Sequence, residues 1–225
     1  MIRGLLAALP ILVIAGWSER FGPPPEDGLS EALVRAAAAG DTDAVRSRLA
    51  AGADVDAQDR GGRSAVTAAV IGDHLETARV LIAAGADVDA QDVDRNNALL
   101  VCGETGNLAM LRAVLAAGPD LRRTNRFGGT ALIPASDRGH VAVVRELLGT
   151  DIDVDHVNRL GWTALLEAVI LGDGGPAHRQ IVRLLVDAGA DVNLADREGV
   201  TPLEHARRRG YDEIAATLVA AGARS

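Results

Sequence analysis

Few residues in this 225-residue chain have the type and spacing to do chemistry. Aspartates recur as Asp-Val-Asp at 54–56, 87–89 and 153–155, where alternation along an extended segment would project each pair to one side and could gather a cation. The run from Asp87 to Asp94 has the acid density of a calcium loop. However, Asp92 stands where such a loop needs its turning glycine, and no glutamate closes the site. These carboxylates are therefore expected to satisfy backbone turns. Histidines at 74, 140, 156, 178 and 205 include no pair four residues apart, so the helical metalloprotease spacing is absent. Glu167 and His205 could meet as an acid/base pair, but no nucleophile or metal-binding group accompanies them, and a hydrogen-bonding role is expected. The glycine-rich stretch 171–180 could cradle an anion on backbone N–H groups, with His178 and Arg179 as further donors, or serve as a flexible connection.

Composition narrows the chemistry further. All 23 basic residues are arginine, so Schiff-base formation and a phosphate-binding P-loop, which both need a lysine amine, are excluded. A net charge of −8 opposes the phosphate neutralisation on which nucleic-acid binding rests. The single cysteine, Cys102, can form neither an internal disulfide nor a thiolate zinc cluster and is expected to be a small buried residue. No cofactor is implied. Aromatic residues make up 2% of the chain, so small side chains must fill whatever core exists.

The elements that position these residues follow from self-comparison. GADVDAQD at Gly52 recurs at Gly85, and the same interval leads on to Gly118 and then to Asp151. The next copy, at Gly189, starts five positions beyond the place that interval would give it. One unit thus carries an insertion, placed by the pattern at 171–180. In each unit Ser64, Asn97, Thr130, Thr163 or Thr201 stands two residues before a leucine or valine, where its side-chain oxygen can cap a helix. A second apolar stretch with helical spacing follows and ends in or near glycine, as in 74–85 and 107–118. The unit reads as helix, turn, helix and an extended hairpin.

This unit of about 33 residues resembles the ankyrin repeat from Leu29 to Gly222, most faithfully in 199–223, where Thr201, Pro202 and Leu203 match the family's T-P-L signature. Ala65, Ala98, Ala131 and Ala164 replace the proline in the other copies, Arg95 replaces the hairpin glycine, and the signature histidine is missing. Equivalent first-helix positions at Leu33, Val66, Leu99, Leu132, Leu165 and Leu203 give the expected fold: an all-α ankyrin repeat solenoid of six stacked helix pairs with five β-hairpin fingers. The strings NRLGWTALLEAVILGDGG and EGVTPLEHARRRG are similar to those of bacterial ankyrin proteins.

With so few rings in the chain, their placement is informative. Phe127 and Trp162 fall at or beside the tips of adjacent hairpins, each preceded by an arginine, Arg126 and Arg159. Leu160, Ile170 and Leu171 extend the apolar set toward the insertion and His178. Aromatic residues with arginine are enriched where proteins bind proteins. The expected function is a non-catalytic scaffold, monomeric, that binds another protein through hairpin tips and concave helices. The alternatives are an enzyme with a site at 171–180, using Glu167, His178 or His205 with Asp173, and a structural protein that self-associates through the apolar patch.

The amino terminus places Arg3 ahead of an apolar run that is short for a membrane span, as in a secretory signal. The expected organisation is a signal peptide at 1–15, a Pro/Gly-rich linker at 16–28 and the repeat domain at 29–223. That implies a periplasmic or secreted protein, or one tethered to the inner membrane if the signal stays uncleaved.

Overall fold

The computed structural model describes residues 26–224. The signal-like segment and most of the linker lie outside these residues. The first helix begins at Glu26, inside the expected end of the linker.

Twelve helices and no strand are assigned among the described residues. They alternate between two rows. The inner row is α1 (Glu26–Ala38), α3 (Ala65–Ile71), α5 (Ala98–Thr105), α7 (Leu132–Asp137), α9 (Ala164–Ile170) and α11 (Pro202–Arg208), each packed on the next. The outer row is α2 (Thr42–Ala50), α4 (Leu75–Ala83), α6 (Leu108–Ala116), α8 (Val141–Leu147), α10 (Pro176–Asp187) and α12 (Asp212–Ala220). Each inner helix also packs on the outer helix that follows it. The arrangement is an all-helical solenoid of stacked helix pairs.

Burial explains the two rows. In α3 every residue from Ala65 to Val70 is buried, and α5 and α9 are buried nearly as completely, because inner helices have neighbours on three sides. Outer helices bury one stripe only, such as Met110, Leu111 and Val114 in α6. Small residues let the inner row close up: a methyl group on Gly103 of α5 would collide with the carbonyl oxygen of Ala131, just ahead of α7.

Four of the five expected caps form. Ser64, Asn97, Thr163 and Thr201 each accept the backbone N–H three residues on. Thr130 differs. Pro134 has no N–H to give the Thr130 carbonyl and its ring crowds that oxygen, which instead accepts from Ile133 N at 3.2 Å. The Thr130 hydroxyl is left buried without a hydrogen-bond partner.

The five expected fingers are short turns with no assigned strand among the described residues. A single antiparallel bridge, Gln58 with Ser64, is the only ladder pairing among the described residues. Each finger is closed across its base by two backbone hydrogen bonds, as Asn158 N to Trp162 O and Gly161 N to Asn158 O (3.0 Å each), and by the side chain of one residue, Asp59, Asp92, Asn125, Asn158 or Asp196. Its Oδ1 accepts the N–H groups two and four residues on, as Asn158 does from Leu160 (2.9 Å) and Trp162 (3.0 Å). Each turn needs a left-handed residue, supplied by Gly62, Gly128, Gly161 and Gly199 in four fingers and by Arg95, at φ 63°, in the second.

Two substitutions test this packing. Gly103→Ala should lower stability by about 2 kcal/mol through the clash with Ala131. Arg95→Gly should raise it by about 0.5–1 kcal/mol by relieving the left-handed strain. Urea unfolding followed by circular dichroism measures both.

Candidate functional site

A groove of about 630 Å³ opens where three fingers meet three inner helices. Its walls come from Asp94 and Asn96 on the second finger, Asn125, Arg126, Phe127 and Gly129 on the third and Asn158 and Leu160 on the fourth. Its floor comes from α5, α7 and α9, including Leu100, Val101, Ile133, Pro134 and Glu167. Ile71, Phe127, Leu160 and Leu171 line it with 45–53% of their surface exposed, so large apolar side chains that the stack leaves uncovered gather in one place.

The residues singled out in the sequence divide on this groove. Arg126, Phe127, Leu160 and Leu171 line it. The Arg126 guanidinium sits 4.8 Å from the centre of the Phe127 ring and donates to Asp94 Oδ1 at 2.9 Å, so ring and cation are held together. Arg159, Trp162, Ile170 and His178 are not among the lining residues. Arg159 lies along the neighbouring finger, its Nη1 donating to the Arg126 carbonyl at 2.8 Å. Trp162, ahead of α9, and Ile170, its last residue, are partly buried. His178 departs most from the expectation. It is 9% exposed, its Nε2 donates to the Asp137 carbonyl at 2.8 Å, and its Nδ1 lies 2.8 Å from Asp173 Oδ1, leaving neither nitrogen free for a ligand.

The other candidate groups have structural partners. His74 and His140 stand just before outer helices and donate from Nε2 to the carbonyls of Ala38 (3.1 Å) and Glu104 (3.0 Å), at the end of an earlier inner helix. His178 makes the same link, and Tyr211 makes it with its hydroxyl to Gly172 O at 3.0 Å. The second aspartate of each Asp-Val-Asp triplet reaches across the stack: Asp56 accepts from Asp87 N (2.7 Å), Asp89 from Asp120 N (2.9 Å) and Asp155 from Asp191 N (2.9 Å). These carboxylates are bound to backbone, and no cluster of three or more potential metal ligands occurs among the described residues. Burial pushes the Cys102 thiol up to about 12, which keeps it protonated and unreactive.

Glu167 and His205 do not meet as a pair. Each bonds to the finger residue nine positions before it: Asn158 Nδ2 donates to Glu167 Oε1 at 2.7 Å, and His205 Nε2 donates to Asp196 Oδ2 at 2.7 Å. Glu167 is only 7% exposed, yet it lines the groove. Burial pushes its carboxyl up from 4.5 to about 7. The negative charges of Asp137 and Glu104 add to that rise, and the Asn158 hydrogen bond opposes it.

Comparison with known proteins decides what this architecture is. The model of the family described as ankyrin repeats (3 copies) matches residues 33–125, 99–196 and 135–225. The chain belongs to the ankyrin repeat family. Among solved relatives, an ankyrin repeat domain from Acinetobacter baumannii AYE is 49% identical, with a TM-score of 0.83, covering 85% of this chain and 98% of that one. The ankyrin repeat protein EF0377 is 37% identical, with a TM-score of 0.81 over 84% of this chain and 97% of the other. The ankyrin repeat domain of Bcl-3, a member of the IkappaB protein family, is 30% identical, with a TM-score of 0.77 over 86% and 87%. The putative ankyrin repeat protein YahD of Escherichia coli (strain K12) is 54% identical over 57 residues, which span 25% of this chain and 28% of that protein. Ankyrin repeats are in general protein–protein interaction domains, and the family is generally non-catalytic.

Part of the ankyrin groove is not marked by local signals along the chain. Ile71, Glu104 and Asp137 stand one full period from each other and form one column of its lining; Val101, Pro134 and Glu167 form another, and Thr105, Arg138 and Leu171 a third. Aligning the chain on its own period shows these columns. The same alignment, allowing for the insertion, places His178 after His140 in the turn series rather than in a binding set.

The raised carboxyl has a consequence for stability. A folded-state value of about 7 against an ordinary 4.5 means that the folded chain holds this proton more tightly, so stability falls as pH rises from about 4.5 to about 7 and the cost persists above. Glu167→Gln, which keeps an oxygen for Asn158, should raise the thermal midpoint at pH 8 by about 2–4 °C, the shift that roughly 1 kcal/mol gives at this size. The difference should shrink toward zero near pH 4.5 in thermal scans across that range.

Proposed function

We propose that this chain is a non-catalytic ankyrin scaffold that grips a segment of another protein in the groove between its second, third and fourth fingers and helices α5, α7 and α9. The observation that carries this reading is the convergence of half-exposed Ile71, Phe127, Leu160 and Leu171 on one groove with Arg126 at its edge. Apolar anchors in a depression, ringed by charge, are what a protein interface needs for affinity and orientation. The scaffold acts as a monomer by rigid display: finger turns and capped helices hold the groove, and the partner supplies the segment. The apolar run near the amino terminus supports export, with the scaffold working in the periplasm or beyond, or held at the inner membrane if that run is retained.

The test is capture from extract of the host with the chain immobilised. Phe127→Ala with Leu160→Ala should reduce recovery of the captured protein at least about tenfold, because both changes remove apolar anchors. Helical circular dichroism should be unchanged, since both side chains are about half exposed. Undiminished capture by the double variant would place the binding surface elsewhere.

A further inference from the structure

The charges of the groove say what its occupant must carry. Four carboxylates line it, Asp94, Glu104, Asp137 and Glu167, against two guanidiniums, Arg126 and Arg138. Arg126 is taken by Asp94, and Arg138 lies on Glu104 and 3.5 Å from Asp137. Glu167 forms no ion pair among the described residues. Among the described residues the hydrogen bond to its carboxyl comes from the neutral amide of Asn158, although it is more than nine-tenths buried and lines the cavity. A buried carboxylate without a cation is costly, and a structure that retains one at the floor of an open groove leaves room for a cation from outside.

We propose that the groove receives an extended polypeptide segment carrying one basic side chain, arginine or lysine, between apolar residues, the basic group ending on the free carboxylate oxygen of Glu167. The segment's apolar residues lie on Phe127, Leu160 and Leu171, and the excess of acid repels segments with acidic residues. This assignment rests on the docking role proposed above and specifies its partner. It also makes binding sensitive to pH. Near neutrality a share of the Glu167 carboxyl is protonated, and the incoming cation must displace that proton. The charged groups that line the groove with Glu167 are Asp94 and Arg126 on the second and third fingers, Glu104 on α5 and Asp137 and Arg138 at the end of α7, while His178 on α10 is held by Asp173 and His205 on α11 by Asp196. Comparing the wild-type chain with Glu167→Gln separates Glu167 from all of them.

The experiment uses arrays of acetylated, amidated octapeptides in which leucine, phenylalanine and alanine surround a central arginine or its uncharged isostere citrulline, with affinities read by fluorescence anisotropy on the full chain. The wild-type chain should prefer the best arginine peptide over its citrulline twin by at least about tenfold. Glu167→Gln should bring that preference within about twofold. The wild-type preference should grow roughly tenfold from pH 6 to pH 8, and that of the variant should stay flat. Equal binding of the two peptides to the wild-type chain, or an undiminished preference in Glu167→Gln, overturns the cation assignment. If the two bind equally and both are lost in Phe127→Ala with Leu160→Ala, docking stands and only the assignment falls. If no peptide of either array binds, both fall. If butylguanidinium alone binds as tightly as the arginine peptides, a small cation is the occupant and the polypeptide assignment is overturned.

Discussion

A helix pair of this size has one apolar face and too little chain to fold over it. The surface shaped to cover that face is another pair with the same spacing, so the chain is stable only as a stack. Every unit must therefore meet its neighbour in the same way, and the hydrogen bonds between units recur with that regularity. Asp56, Asp89 and Asp155 each accept a backbone N–H from the following unit, while His74, His140, His178 and Tyr211 each reach back to a carbonyl at the end of an earlier inner helix. The family's signature histidine is absent, and these two series tie unit to unit in its place. The inner row closes further because alanine and glycine occupy its contacts, with Gly103 against Ala131 a tight example.

Stacking of this kind also creates the groove. No single unit contains it: its lining is built of columns of side chains contributed by successive units, and its apolar character comes from positions that the stack does not cover. The finger turns matter because they hold these walls without strands. Asn158 serves both ends of the groove, closing the fourth finger through its Oδ1 while its Nδ2 holds Glu167 at the floor. Architecture and recognition thus share one residue, and the position of the floor carboxylate follows from the geometry of the finger above it.

Much of the architecture is legible in the sequence because it is written along the chain. The period, the capping residues Ser64, Asn97, Thr163 and Thr201, and the tip residues Arg126, Phe127 and Leu160 are all local signals. Other features depend on competition between groups that spacing alone does not weigh. Thr130 has the type and place of a cap, yet Pro134 diverts its carbonyl and leaves its hydroxyl unpaired. The fingers form as short turns closed by two backbone hydrogen bonds each, and one Asx oxygen takes two further N–H groups of the loop, which spacing alone does not show. His178 reads along the chain as a binding group beside the insertion, because the extra residues hide its equivalence to His140. Glu167 is visible in the sequence as a candidate acid, but the row of helices suggests His205 as its partner, whereas the structure sends each to its own finger. The carboxylates of the groove belong to columns that cross the stack, and reading along the chain does not assemble them.

Hydrogen–deuterium exchange on the free and partner-bound chain tests most directly whether the stack exists to present this groove. Binding should slow exchange in the fingers at 92–96, 125–129 and 158–162 and in α5, α7 and α9, with the outer helices unchanged. Protection confined to the outer row, around Arg145, Arg179 and Arg183 on α8 and α10, would show that the partner sits on the opposite side and would contradict the assignment of the groove.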